Sequence, residues 1–203
     1  HSDDARARLL GVVYHEAVQM HRMVENLLDL ARLRSGDAGG ERSWQAIEEI
    51  VGSSLEAVRR RPVDRVFAVD VPADLPLLRC DGVLIERVLV NLLENAIKYS
   101  PAGSRIALQA GVDDREIVIA VSDQGPGVPA DLRDKVFEPF FRAGDNAGSG
   151  LGLTICRGIV EAHGGSVQLG TAAGGGARVV VRLPLPAEPP ELASEPEPGE
   201  RHG

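Results

Sequence analysis

The sequence predicts an α/β two-layer sandwich, with a mixed sheet covered by helices on one face, preceded by an amphipathic helix of the type that packs in dimerisation bundles. Three observations lead there. Helical apolar periodicity and period-two alternation succeed one another between residues 43 and 183. The alternating runs come in pairs around turn residues, as antiparallel strands do. The first segment carries a heptad-like seam instead of the broad apolar face of a helix lying on its own sheet.

Between residues 3 and 34 there is one glycine and no proline, and Leu10, Val13, Ala17, Met20, Val24, Leu27 and Ala31 step alternately by three and four. Such a seam needs other helices to cover it. Ser35-Gly36 is a helix stop, and residues 36–40 read as a linker. Residues 1–36 are therefore expected to stand apart from a globular unit at 37–186. Within that unit, Ile47, Ile50, Val51, Leu55 and Val58 predict a helix before Pro62. Residues 65–71 alternate like a half-buried strand, and 77–79 predict another short one. Asp81 stands at an N-cap position ahead of the wide stripe Leu84, Ile85, Val88, Leu89, Leu92, Leu93 and Ala96, which marks a core helix. Runs at 105–110 and 116–121 predict a hairpin around Asp113-Asp114, and runs at 166–169 and 177–183 predict a second around Gly174-Gly175-Gly176. A helix is expected over 149–163. From 187 to 203 the chain is acidic and proline-rich with little to bury, which predicts a disordered tail.

A formal charge of -8 disfavours nucleic acid or an anionic membrane as the main partner, since both call for a basic face. Cys80 and Cys156 form neither a metal-ligand spacing nor a disulfide framework, which fits a reducing cytoplasmic setting. No apolar run approaches the roughly 20 residues needed to span a bilayer, and no signal peptide is visible.

Asn91 and Asn95 share one face of the core helix, with Lys98 and Tyr99 a turn further on. An amide oxygen is a hard, neutral ligand for magnesium, and a lysine beside it neutralises phosphate charge. Alone, the amides would serve equally well to cap or cross-link a core. Asp123 follows Asn95 by 28 residues and opens the turn Asp123-Gln124-Gly125-Pro126-Gly127, where backbone can approach a flat ligand and the carboxylate can accept from the exocyclic amine of adenine. Gly148, Gly150 and Gly152 then open a helix, presenting bare N–H groups and the positive dipole end to phosphates. The Gly-Lys-Ser/Thr ending of a phosphate loop is absent, and no parallel strand-helix-strand unit supports a dinucleotide fingerprint. Phe137-Glu138-Pro139-Phe140-Phe141-Arg142 and the small polar residues after it suggest a lid anchored by phenylalanines, with Arg142 in reach of a terminal phosphate. Together these features predict a site for ATP.

In family order, the N box at 91–99, the first glycine box at 123–127, the phenylalanine box at 137–142 and the second glycine box at 148–153 resemble the catalytic ATP-binding domain of bacterial sensor histidine kinases. Those kinases belong with gyrase, heat-shock-90 chaperones and MutL, and share a Bergerat-type ATP-binding fold. The resemblance covers residues 43–185. It implies Asn95 as the principal Mg2+ ligand, with Asn91 near the metal or phosphates, and Lys98 and Tyr99 facing the nucleotide. It further implies that Asp123 selects adenine with Gly125 and Gly127 shaping its turn, and that Gly148, Ser149, Gly150, Leu151, Gly152 and Leu153 surround the phosphates. Asn91, Asn95, Lys98 and Arg142 would then carry the catalysis. The stretches 27–36 and 84–95, with Trp44 and the short lid, resemble the Kdp-type kinases that respond to potassium limitation.

The same resemblance makes residues 1–36 the second helix of a dimerisation and phosphoacceptor hairpin. The implied partners are ATP, an acceptor-histidine helix of the same parent protein, a response regulator and a second copy in the parent. The implied place is the cytoplasmic portion of an inner-membrane sensor. One departure stands out. The family's acceptor histidine is followed by an acidic residue and then Arg-Thr-Pro, whereas His15-Glu16 is followed by Ala17-Val18-Gln19. His15 and His21 are therefore read as ordinary helix residues, His1 as an incidental terminus, and the acceptor as lying elsewhere. The alternatives are a hydrolytic ATPase of the same superfamily, which resembles this chain except for a glutamate base at the position of Asn91; a serine-directed anti-sigma kinase, which lacks the appended bundle; and a nucleotide-binding module without transfer activity.

Overall fold

The structure, a computed structural model, describes residues 41–60, 64–142 and 150–186, together with ten positions between 6 and 31. Those ten are helical and exposed, among them Leu10, Val13, Met20 and Val24 of the seam. His1, His15, His21, the 36–40 linker, the 143–149 stretch with Gly148 and Ser149, and the 187–203 tail lie outside the described residues.

The globular unit begins with β1 (Ser43–Gln45), α1 (Ile47–Arg59), β2 (Val66–Asp70) and β3 (Leu78–Cys80), then α2 (Gly82–Tyr99). It continues with β4 (Arg105–Asp113) and β5 (Glu116–Ser122), two 3-10 turns at Ala130–Leu132 and Lys135–Phe137, α3 (Gly152–Ala162), β6 (Ser166–Thr171) and β7 (Ala177–Pro184). Five strands form one sheet in the order β2-β4-β5-β7-β6. β2 lies parallel to β4 and the other pairs are antiparallel, so the sheet is mixed as expected. The three helices pack as one layer, α1 on α2 and α2 on α3, with α2 and α3 against the sheet.

Local chemistry explains the elements. Asp81 caps α2 through a bond from Leu84 N to its Oδ1 at 3.1 Å, which satisfies one of the orphan N–H groups at the helix start. The helix then buries Ile85, Val88, Leu89, Leu92, Leu93 and Ala96, each large side chain contributing roughly 1.5–3 kcal/mol of transfer free energy. Its C-terminus is held by Arg65, whose guanidinium donates to Ile97 O at 3.2 Å and Ser100 O at 2.7 Å, as suits a cation beside the negative dipole end. The sheet answers with Ile106, Leu108, Ile117, Ile119, Val181 and Leu183, all at most 1 % exposed. The β4–β5 hairpin is longer than the sequence predicts, and Asp114 takes the left-handed turn conformation at φ 54°.

Two boundaries differ from expectation. The second glycine stretch does not enter the helix until Gly152, because Gly150 is at φ +69° and cannot continue a right-handed helix. The segment at 43–45 is a strand, paired antiparallel with β3 from Ser43 opposite Cys80 to Gln45 opposite Leu78. Three residues are too few for alternation to announce a strand.

Candidate nucleotide site

Three of the sequence motifs meet around the C-terminal half of α2. Asn91, on its third turn, faces the first residue of α3: a Cβ on Gly152 would lie 3.7 Å from Asn91 Oδ1. At the end of α2, the first glycine turn closes on the backbone, since a Cβ on Gly125 would lie 2.6 Å from Tyr99 O. Glycine is required there by this approach alone.

Asp123 follows the last residue of β5 and is fixed by its own turn and by the next strand. Its Oδ1 accepts from Gly125 N at 2.8 Å and from Ala177 N at 3.1 Å, while Asp123 N donates to Ala177 O at 2.9 Å. One carboxylate oxygen is thus committed to the backbone, and Oδ2 has no hydrogen bond among the described residues. Gly127, at φ +70°, packs against Gly176 O. The sequence treats Gly174-Gly175-Gly176 as a hairpin turn only, but Gly176 is also a wall of this site.

Lys98 and Tyr99 are exposed neighbours that bind each other: Lys98 Nζ is 3.1 Å from the Tyr99 hydroxyl and 4.7 Å from its ring centroid. The pair keeps a cation and an aromatic edge at the mouth beside the Asp123 turn. Asn95 is part-buried, and its amide makes no hydrogen bond among the described residues.

The phenylalanine segment forms a second wall. Phe137 is 3 % exposed and stacks under Arg157, whose guanidinium carbon is 4.2 Å from the ring centroid. Phe140 N donates to Gly150 O at 3.1 Å, so the chain returns to the same point after residues 143–149. Arg142 is exposed where that stretch leaves. Leu151 is fully buried and Leu153 is packed against the core.

Polar atoms without partners mark where a ligand fits. Among the described residues, Asn91 Nδ2 and Thr154 Oγ1 are buried and unpaired. Of the Asn91 amide it is Oδ1 that lies toward the start of α3, while Thr154 lies within its first turn, where the helix's own N–H groups are also unpaired. An orphaned buried polar group costs about 1–3 kcal/mol. Phosphate oxygens are acceptors of the kind that the Thr154 hydroxyl and the first-turn N–H groups lack, so the residues present fit a nucleoside triphosphate. Thr154 is not singled out by sequence reasoning, because a threonine in a helix has no periodic or turn signature.

Of the two thiols, one packs on α3 and the other ends β3 beside the N-cap of α2. Cys156, completely buried on α3, has Sγ 3.7 Å from Val88 O, and burial pushes its pKa up from 9.0 to about 12 despite the nearby Asn91 amide. Cys80 is pushed up to about 11, again chiefly by burial. Both are inert as nucleophiles at neutral pH. Among the described residues no group of three or more His, Cys, Asp or Glu side chains converges to hold a metal. None of the described helices is long and apolar enough to cross a membrane.

Comparison with known proteins gives the same picture. The family model described as "Histidine kinase-, DNA gyrase B-, and HSP90-like ATPase" matches residues 80–187. The Sensor protein KdpD of Escherichia coli (strain K12) is 38% identical over 186 residues, covering 90% of this chain and 21% of its own length. The alginate biosynthesis sensor protein KinB of Pseudomonas aeruginosa is 32% identical over 187 residues, covering 91% of this chain and 31% of its own. The chain thus spans about a fifth to a third of these relatives. Among solved structures, the mycobacterial sensor histidine kinase MprB superposes with TM-score 0.65 at 36% identity, covering 70% of this chain and 97% of that one. Full-length ShkA in complex with AMPPNP superposes with TM-score 0.72 at 30% identity, covering 83% of this chain and 36% of that one.

Proposed function

Because the chain belongs to the family of histidine kinase-, DNA gyrase B- and HSP90-like ATPases, we propose that it is the ATP-binding catalytic domain of a sensor histidine kinase, which transfers the γ-phosphate of ATP to a histidine outside residues 1–203. The observation that carries this reading is the unpaired, buried Asn91 amide facing the glycine-opened start of α3. The atom toward Gly152 is the amide oxygen, which can ligate a phosphate-bound Mg2+ and is not a base. A hydrolytic relative needs a carboxylate near that position to take a proton from water, and an amide cannot.

Each residue then has a role. Asp123 Oδ2 accepts from the adenine amine, its geometry set by the two backbone bonds to Oδ1. The N–H groups at Gly152 and Leu153, with Thr154 Oγ1, bind phosphate oxygens, and Asn91 Oδ1 lies beside them near the metal. Lys98 and Arg142 add positive charge at the mouth. Asn95 holds Mg2+ through its amide oxygen, and the ion would supply charge neutralisation between phosphates. The chain's contribution is positioning and electrostatics, as phosphoryl transfer requires.

The wider setting is part of the proposal. The exposed seam of the first segment, including Leu10, Val13, Met20 and Val24, pairs with a second copy in a dimerisation bundle within a membrane-anchored parent. The acceptor helix belongs to that parent, and the phosphate passes to an aspartate on a response regulator. The resemblance of residues 27–36 and 84–95 to Kdp-type kinases favours potassium limitation or osmotic stress as the stimulus.

Calorimetric titration with magnesium and a non-hydrolysable ATP analogue tests the site. The folded chain binds in a magnesium-dependent way. Asn95→Ala loses the magnesium dependence, and Asp123→Asn keeps the fold but places an amide N–H against the adenine amine and weakens binding at least tenfold. Transfer from labelled ATP to a supplied acceptor hairpin distinguishes a kinase from a binding module. Absence of binding by the folded chain overturns the reading.

A further inference from the structure

The two helices that supply the proposed phosphate site run antiparallel in contact, and three contacts set their register. At the site end, Gly152 faces Asn91, whose Oδ1 is 3.7 Å from the position a Cβ would take. In the middle, Cys156 Sγ is 3.7 Å from Val88 O. At the far end, Asp81 N donates to His163 Nε2 at 3.1 Å. Ten residues back along α2 from Asn91 to Asp81 are matched by eleven residues forward along α3 from Gly152 to His163.

These contacts differ in kind. The first is an approach that only an added Cβ would turn into van der Waals contact, and the second is a weak thiol bond. The Asp81–His163 bond is directional, and both of its ends are fixed. His163 is 7 % exposed, and its Nδ1 lies 2.8 Å from Ile159 O, so Nδ1 carries the proton and Nε2 presents its lone pair. Asp81 is the N-cap itself: its Oδ1 accepts from Leu84 N and its carbonyl accepts from Ile85 N at 3.0 Å. The bond therefore joins the N-cap of α2 to the C-cap of α3. Arg42 secures the same end of α3 by donating to Ala162 O.

We propose that His163 is a positioning residue for the nucleotide site, holding α3 in axial register with α2 so that the helix start at Gly152 faces Asn91. This rests on the nucleotide reading above. A shift of one residue along a helix is 1.5 Å, and a misplacement of about 1 Å at a phosphate site suffices to weaken it severely. His163 touches no ligand, so its effect must pass through the helix pair. Linkage then imposes a second consequence: if the bond favours nucleotide binding, nucleotide binding must favour the bond by the same factor.

Two variants and one measurement on the unsubstituted chain test this. Gln at position 163 can still accept from Asp81 N with its amide oxygen in place of Nε2. Asn reaches only the position of Nδ1, keeping the local bond to Ile159 O. With the magnesium-bound ATP analogue, His163→Asn binds about tenfold more weakly, while His163→Gln stays within about threefold. In the unsubstituted chain, hydrogen exchange of the Asp81 amide slows about tenfold at saturating analogue. Equal affinities for the Asn variant and the unsubstituted chain, or equal losses in both variants, overturn the proposal. So does unchanged Asp81 exchange in a saturated complex, a result that stands even if His163→Asn does not fold. Absence of binding by the unsubstituted, folded chain instead removes the nucleotide reading itself.

Discussion

Gly176→Ala separates backbone strain from steric displacement at the Asp123 wall. Gly176 has φ +82°, and a Cβ built on it would lie 2.1 Å from Asp123 O, 2.8 Å from Asp123 C and 3.0 Å from Asp123 Oδ1. Gly175 is the control, since its φ is +94° but nothing lies within 4 Å of its Cβ position. Gly175→Ala therefore costs only the left-handed strain, about 1 kcal/mol. Gly176→Ala costs that strain and also forces Asp123 back by about 1 Å, because carbon and carbonyl oxygen do not approach closer than about 3 Å. Two bonds lie beside the clash, Asp123 N to Ala177 O at 2.9 Å and Ala177 N to Asp123 Oδ1 at 3.1 Å. Stretching both beyond hydrogen-bonding distance loses about 1 kcal/mol each, which brings the total near 3 kcal/mol. In urea the midpoint falls by about 1–2 M at unchanged slope. Nucleotide affinity falls at least tenfold in Gly176→Ala and stays near the unsubstituted value in Gly175→Ala. Equal stability losses in the two variants, with binding intact in both, would refute the steric argument.

Gly52 is exposed within α1 with nothing within 4 Å of its Cβ position, so Gly52→Ala raises stability by about 0.5–1 kcal/mol in the same urea titration. The Cys156 thiol has a folded pKa of about 12 against 9.0. Its contribution is therefore complete below about pH 9 and declines by about 1.4 kcal/mol per pH unit between there and pH 12. Urea midpoints at pH 8, 9 and 10 should fall less steeply for Cys156→Val than for the unsubstituted chain, and parallel slopes would contradict the assignment. Arg157→Ala removes the guanidinium 4.2 Å from the Phe137 ring and lowers stability by about 1 kcal/mol. Thermal unfolding should show that loss, whereas Arg157→Lys recovers part of it.

The sequence by itself determined the two-layer architecture, because its signals are local. The α2 stripe, the Asp81 cap and the paired alternating runs each occupy a contiguous stretch, and each was found in place. The same locality made Asn91, Asn95 and Asp123 legible, since an amide pair on one helix face and an acid opening a glycine turn are short patterns. Only the tertiary structure decided which motifs touch. Pairing of β1 with β3 and of β2 with β4 joins residues 33 to 39 apart and depends on packing that no window of sequence contains. Gly176 against Asp123, Arg65 on the end of α2 and His163 on Asp81 are contacts of the same long-range kind. Gly176 looked like a turn residue and His163 like a helix end because that is all their neighbours in sequence require. Their wider roles come from backbone that arrives from 53 and 82 residues away, where steric exclusion and hydrogen-bond direction, not local propensity, select the residue.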